Sequence, residues 1–139
     1  MLRAVWAPIL LAVAPVPALG LSNAAQFLIA QEVAAACDGG PGSIAPAAVI
    51  ERDLTGDGRP DLVIAHEGIA CEGGGRSAFC GMQVCSVLIY VRRGALLAPE
   101  VDDLLGQAVS VGDGSVPEIR WRGHGGAPRS MRWDGSAFR

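Results

Sequence analysis

The sequence predicts an α+β fold, in which one N-terminal helix precedes a mainly antiparallel sheet of short strands and hairpins stapled by disulfides. A chain of 139 residues fits a single domain. Only one segment, soon after residue 20, has helical spacing and composition, whereas the later apolar runs are short and separated by glycine-rich turns. The chain has four cysteines, and an even number is typical of a disulfide framework in a small exported protein.

The first twenty residues have the pattern of a secretory signal peptide. A short positive start, Met1–Arg3, precedes an apolar run over Ala4–Val16, and small residues stand third and first before Leu21. We therefore expect residues 1–20 to be removed, with cleavage after Ala18 as the alternative, and residues 21–139 to form one exported domain that is periplasmic or secreted. An uncleaved membrane anchor is the alternative, but the run is short for a bilayer and prolines interrupt it. We expect no membrane span after cleavage.

The helix is predicted to begin at Ser22 or Asn23, since either side chain can accept a hydrogen bond from a free backbone N–H of the first turn. The residues that follow are rich in alanine, glutamine and glutamate, with apolar positions at helical spacing. Asp38–Gly42 contains three glycines and a proline and ends the helix. A helix of about fourteen residues brings Cys37 to its C-terminal end.

Short apolar runs after the helix predict roughly six to eight strands. The clearest covers Val84–Arg93, and Glu67–Gly81 is predicted to be a loop. Sequential hairpin turns favour a largely antiparallel sheet. The other predicted strands are Ala47–Asp53, Asp61–Ala65, Ala95–Ala98, Gln107–Val111, Val116–Trp121, Arg129–Trp133 and Ala137–Phe138.

Four cysteines allow three disulfide pairings, and sequence alone does not choose among them. We expect Cys80–Cys85, which closes a tight loop around Gly81, together with Cys37–Cys71. The spacing of the first pair differs from the C-x-x-C of thiol oxidoreductases, and the scattered positions argue against a zinc site.

The clearest candidate site is an aspartate-rich loop between two predicted strands. Oxygen-bearing side chains stand at positions 1, 3, 5 and 9 of the loop, which are Asp53, Thr55, Asp57 and Asp61. Arg59, at position 7, would offer its backbone carbonyl. Calcium takes six to eight oxygen ligands, so the loop predicts a weak, structural calcium site. An aspartate-rich turn that holds the hairpin without metal is the alternative.

The pattern Asp-x-Thr-Gly-Asp-Gly-x-x-Asp-Leu-Val resembles the calcium loops of FG-GAP and VCBS-type repeats, the integrin-α kind. That resemblance implies a structural calcium ion in a β-hairpin. Thr55 stands where those repeats usually have Asn or Asp, and the chain is too short for a closed propeller. Ile64 replaces the glutamate that an EF-hand requires. The whole chain also resembles small exported bacterial proteins without an assigned activity, which share the Phe79–Cys85 segment and a terminal Trp133–Gly135 hairpin.

Catalytic patterns are absent from the sequence. It contains no nucleophile elbow, no phosphate loop and no His-Glu-x-x-His. His66 is interpreted as a polar surface residue at a strand end, and His124 as part of a flexible glycine loop. We therefore do not expect an enzyme.

Charge is distributed unevenly along the chain. The formal net charge is −3, yet residues 120–139 carry five arginines against one acid. We expect a solvated β surface there, with an anion-binding face as the alternative. An exported acidic chain with few aromatic residues is a poor nucleic-acid binder, so we expect a protein or cell-envelope partner.

Three hypotheses for the function follow, of which an enzyme that uses His66 or His124 ranks last. The leading one is an exported, non-enzymatic binding module that a calcium loop makes rigid. The alternative is an inhibitor-type protein that presents the Cys80–Cys85 loop to a partner enzyme. That loop has the C-x4-C spacing of loops in some periplasmic lysozyme inhibitors but lacks their histidine.

Overall fold

The computed structural model describes residues 20–139. The predicted signal peptide therefore lies, apart from Gly20, outside the described residues. The elements are helix α1 (Asn23–Ala36) and strands β1 (Gly42–Ile44), β2 (Val49–Arg52), β3 (Asp61–Ala65), β4 (Ile69–Cys71), β5 (Cys85–Arg93), β6 (Leu96–Val111), β7 (Ile119–Arg122) and β8 (Pro128–Met131). The predicted α+β fold, with one helix before a mainly antiparallel sheet, is confirmed.

Six strands form the main sheet, in the order β2-β3-β5-β6-β7-β8, and every neighbouring pair is antiparallel. Strand β4 leaves this order because it pairs with β1 in a separate two-stranded sheet. Strand β3 therefore has β5 as its second neighbour and lies inside the main sheet.

Helix α1 covers one face of the main sheet. Its N-terminus is capped by the Ser22 hydroxyl, which accepts a hydrogen bond from Ala25 N–H at 3.2 Å. On this face the buried side chains are Ala25, Leu62, Ile64, Tyr90 and Leu97. The opposite face buries a second cluster, which comprises Leu54, Val63, Val87, Ile89, Leu104 and Ile119. Because both faces are covered, β3 is apolar along its centre and carries no polar–apolar alternation.

Strand β6 is where the structure departs most from the predicted strands. The sequence predicts two short strands, Ala95–Ala98 and Gln107–Val111, but one strand of 16 residues spans both. Its first part pairs with β5 and its last part with β7. Ala108, at φ 52°, lies in an irregularity of the pairing with β7, between Gln107 and Ser110. The prediction of loop throughout Glu67–Gly81 was also wrong, since β4 lies within it.

Both predicted disulfides are confirmed. Cys37–Cys71 joins the end of α1 to β4, and Cys80–Cys85 closes the segment that leads into β5. Disulfides of this kind are typical of oxidising environments outside the cytoplasm. Within residues 20–139, no helix combines the length and apolar character needed to cross a membrane.

Candidate functional site

The aspartate loop joins β2 to β3 and is organised by the side chain of Asp53. One carboxylate oxygen of Asp53 accepts hydrogen bonds from the N–H groups of Thr55, at 3.1 Å, and Gly56, at 2.8 Å. The other accepts from Gly58 N–H, at 2.8 Å. Gly56 and Gly58 both have φ of 81°, which glycine adopts without steric cost. Asp53 therefore folds the loop around its own carboxylate.

Asp61, at the start of β3, is completely buried. Its two oxygens accept hydrogen bonds from Leu54 N–H and Arg92 N–H, each at 2.8 Å. Burial raises the pKa of Asp61, these two hydrogen bonds lower it, and nearby Asp57 and Asp53 raise it further. Asp61 thus ties the loop to the neighbouring strand β5.

Asp57 lies at the exposed tip of the loop and faces Arg59. Its carboxylate accepts a hydrogen bond from Arg59 N–H at 2.9 Å and forms an ion pair with the Arg59 guanidinium at 3.1 Å. The Arg59 N–H and guanidinium hold the pKa of Asp57 below its ordinary value. This ion pair is exposed, so it adds little to stability.

The five predicted ligands thus lie in one loop. In the part of the chain that the structure describes, no three carboxylate, imidazole or thiol groups are arranged to hold a metal ion. The donor chemistry fits calcium in part, because Asp53, Thr55 and Asp57 carry side-chain oxygens within one short loop. Asp57 would have to turn away from Arg59 to bind an ion, and the oxygens of both Asp53 and Asp61 already accept backbone hydrogen bonds.

The loop is also held from outside, by the turn between β6 and β7. The Arg52 guanidinium donates to Gly112 O at 2.7 Å and to Gly114 O at 3.0 Å. A Cβ added at Gly56 would lie 2.8 Å from the side chain of Val116. Leu54 is buried in the same cluster as Ile119. The aspartate loop is therefore packed against the β6–β7 turn and the hydrophobic core.

The second predicted feature, the Cys80–Cys85 loop, is fixed at several points. Gly81 N–H donates to Val84 O at 2.8 Å, and the Arg76 guanidinium donates to Gly81 O at 3.2 Å. The Gln83 side chain accepts a hydrogen bond from Gly125 N–H at 2.7 Å. Between these contacts, the Met82 side chain is fully exposed, at 102 %.

Sequence reasoning missed a buried polar cluster around His66, whose interpretation as a surface residue was wrong. The His66 ring is 1 % exposed, with Nδ1 2.8 Å from Ser77 Oγ and Nε2 3.1 Å from a Glu32 oxygen. Tyr90 donates to the other Glu32 oxygen at 3.1 Å. A neutral ring that donates from Nε2 to Glu32 and accepts the Ser77 hydroxyl proton satisfies every group.

Ser77, His66 and Glu32 are residue types that also form hydrolytic triads, but this cluster lacks access. Ser77 is 3 % exposed and His66 is 1 % exposed, so no substrate can reach the hydroxyl. The hydroxyl also accepts a hydrogen bond from Phe79 N–H at 3.1 Å. The cluster instead joins α1, β5 and the segment before the Cys80–Cys85 loop.

Stability is expected to fall as the pH falls below about 6.5, the ordinary pKa of histidine. Burial lowers the pKa of His66, and Glu32 only partly opposes this. Below pH 6.5 the unfolded chain therefore takes up a proton that the folded chain does not, so the free energy of unfolding decreases. Urea unfolding between pH 7.5 and about 5 measures the slope. His66→Gln should lower stability at pH 7.5 and flatten this slope, and an unchanged slope would contradict the assignment.

Comparison with known proteins identifies no relative of this chain. No protein-family model, no curated protein and no solved structure matches the chain.

Proposed function

We propose that this chain is an exported, non-enzymatic binding module that presents the Cys80–Cys85 loop to a partner protein. One observation carries the proposal, which is the complete exposure of Met82 on a loop fixed by a disulfide and by hydrogen bonds. Phe79, at the base of the loop, is also 47 % exposed. The Met82 side chain contributes nothing to the core, and on a loop fixed in this way it is placed to contact another molecule.

Physical chemistry favours such a loop as a recognition element. A loop that is already ordered loses little conformational entropy when it binds, so more of its contact energy appears as affinity. Methionine is unbranched and polarisable, and it adapts to irregular apolar recesses. The partner expected for Met82 is therefore a protein with an apolar recess, as in the inhibitor-type hypothesis.

We also propose export to the periplasm or the extracellular medium. Residues 1–20 have the pattern of a signal peptide, and two disulfides stabilise the domain that follows. Both features support a location where disulfides persist.

Capture of the partner tests the proposed recognition element. The oxidised protein, tagged at its C-terminus, is incubated with an extract of the compartment that receives it, and retained proteins are compared among variants. Met82→Asp should abolish retention of the partner, because a carboxylate cannot enter an apolar recess without a large desolvation cost. Phe27, on α1, is 63 % exposed, and Phe27→Asp is the matched control that should retain the partner. Equal losses in both variants would contradict the proposal.

A weak structural calcium site in the aspartate loop is the second part of the proposal. Its support is the oxygen-donor chemistry of Asp53, Thr55 and Asp57, together with the resemblance of the loop to FG-GAP-type loops. The carbonyl of Arg59 completes the candidate donors near the tip. Asp61 contributes by anchoring the loop, since its oxygens hold two backbone N–H groups. Calcium would add rigidity to a hairpin that already packs on the β6–β7 turn.

Thermal unfolding in EDTA and in several millimolar calcium tests this site. A site with a dissociation constant of about 10⁻⁴ to 10⁻³ M should stabilise the folded chain by about 1–2 kcal/mol, because the ion binds only that state. The increase in melting temperature should disappear in Asp57→Ala. No increase in the unmodified protein would show that the loop is a metal-free turn.

A further inference from the structure

A face lined by arginines lies at the far end of the sheet from β2. In β7, Ile119 and Trp121 pack with the core cluster, so the alternate residues Arg120 and Arg122 project from the opposite, exposed face. Cross-strand pairing places Ser110 of β6 and Ser130 of β8 on either side of Arg120. One guanidinium is thus flanked by two exposed hydroxyl groups.

This face is concave and is rich in hydrogen-bond donors. It forms a depression of about 390 Å³, whose polar lining includes Ser110, Arg120, Arg122 and Ser130. Arg129 of β8 pairs with Trp121, so its side chain belongs to the other face of the sheet and not to this one. Guanidinium groups hold phosphate through paired N–H donors, and hydroxyls add neutral donors beside them.

The charge distribution supports an anionic ligand. Residues 20–106 carry five arginines against eleven acids, whereas residues 107–139 carry five arginines against three acids. The acidic net charge of the chain therefore belongs to the rest of the molecule. An isolated basic face on an otherwise acidic protein attracts anions locally.

We propose that this arginine face, defined by Arg120 and Arg122 with Ser110 and Ser130, binds phosphate groups. The shared chemistry belongs both to soluble polyphosphate and to phospholipid headgroups. This inference is independent of the Cys80–Cys85 loop, because the face uses none of that loop's residues.

One acid, Glu118, stands on the same face and competes with the ligand. Its carboxylate accepts a hydrogen bond from Arg120 Nε at 2.6 Å and forms an ion pair with the same guanidinium. The Ser130 hydroxyl and Arg120 hold the pKa of Glu118 below its ordinary value, so it is ionised at neutral pH. Phosphate binding must displace this carboxylate from Arg120, which makes the effect of Glu118 a test of the site.

Calorimetric titration with sodium tripolyphosphate measures the affinity of the soluble ligand. Arg120→Gln/Arg122→Gln should weaken binding about tenfold, which is 1.4 kcal/mol for two exposed charged contacts. Glu118→Gln should strengthen binding severalfold, because it removes the competing carboxylate. Arg59→Gln/Arg93→Gln is the matched control, since both arginines are exposed and each pairs with an acid away from this face. This control should change the affinity less than twofold.

Cosedimentation with phosphatidylglycerol vesicles, compared with phosphatidylcholine vesicles, distinguishes the source of the phosphate. Arginine-dependent binding to the anionic vesicles without binding to tripolyphosphate supports a lipid headgroup, and the reverse supports a soluble polyphosphate. The proposal is overturned if neither probe binds, if the control pair loses as much affinity as the Arg120/Arg122 pair, or if Glu118→Gln weakens binding.

Discussion

Asp61→Ala is expected to lower the free energy of unfolding by about 3 kcal/mol. The side chain is completely buried and accepts hydrogen bonds from Leu54 N–H and Arg92 N–H. Each buried donor left without a partner costs about 1–3 kcal/mol, partly offset because a carboxylate no longer has to be buried. Urea unfolding of both proteins in EDTA measures the difference without any contribution from calcium.

Two further variants sharpen this expectation. Asp61→Asn keeps one acceptor oxygen and should lose an intermediate amount of stability. Asp57→Ala removes an exposed carboxylate from the same loop and should cost about 0.5 kcal/mol or less. A loss for Asp61→Ala no larger than that for Asp57→Ala would contradict the anchoring role of Asp61.

Removing the Cys37–Cys71 disulfide, as Cys37→Ala/Cys71→Ala, should destabilise the protein by about 4 kcal/mol. Its two cysteines are 34 residues apart, so the bond restricts a long loop of the unfolded chain. Cys80 and Cys85 are only 5 residues apart, so by the same loop-entropy estimate Cys80→Ala/Cys85→Ala should cost about 2 kcal/mol. The midpoints of urea unfolding compare the two double variants.

The order of these two effects is the informative result. A larger loss for Cys80→Ala/Cys85→Ala would mean that native contacts around the short loop, and not the unfolded chain, dominate its contribution. In either case Cys80→Ala/Cys85→Ala should retain α1, because the separate Cys37–Cys71 disulfide joins that helix to β4.

Local chemistry explains why the helix and the disulfides were predicted correctly. Ser22 caps the first turn of α1, and the glycines after Asp38 end the helix, so both ends are encoded in neighbouring residues. The tight spacing of Cys80 and Cys85 restricts their partners in the same local way. These features need no information about the rest of the fold.

Strand β6 and the two shortest strands depend instead on tertiary pairing. Asp102, Asp103 and Gly106 interrupt the apolar pattern of β6, which the backbone hydrogen bonds of β5 nevertheless hold in one strand. Strands β1 and β4 have three residues each, too few to show a period. In β6, β1 and β4, pairing with a neighbouring strand therefore outweighed the intrinsic conformational propensity of the residues.

The candidate sites also differ in whether neighbouring residues or the folded structure define them. Asp53 and its glycines lie within one loop, so the sequence identified the segment, but the same spacing suits both a calcium loop and a turn closed by a carboxylate. The cluster of Glu32, His66 and Ser77 had no local signal, because these residues are separated along the chain and meet only in the fold. The exposure of Met82 likewise depends on which neighbours become buried.

The most direct test of the proposed function is site-specific photo-crosslinking at position 82 in the cells that export the protein. A photoreactive phenylalanine analogue replaces Met82 in one variant and the exposed Phe27 of α1 in the other. Both positions are exposed, so incorporation should preserve the fold equally. The binding-module account predicts a discrete adduct with one partner protein from position 82 and none from position 27. No adduct at 82, or the same adducts from both positions, would contradict it.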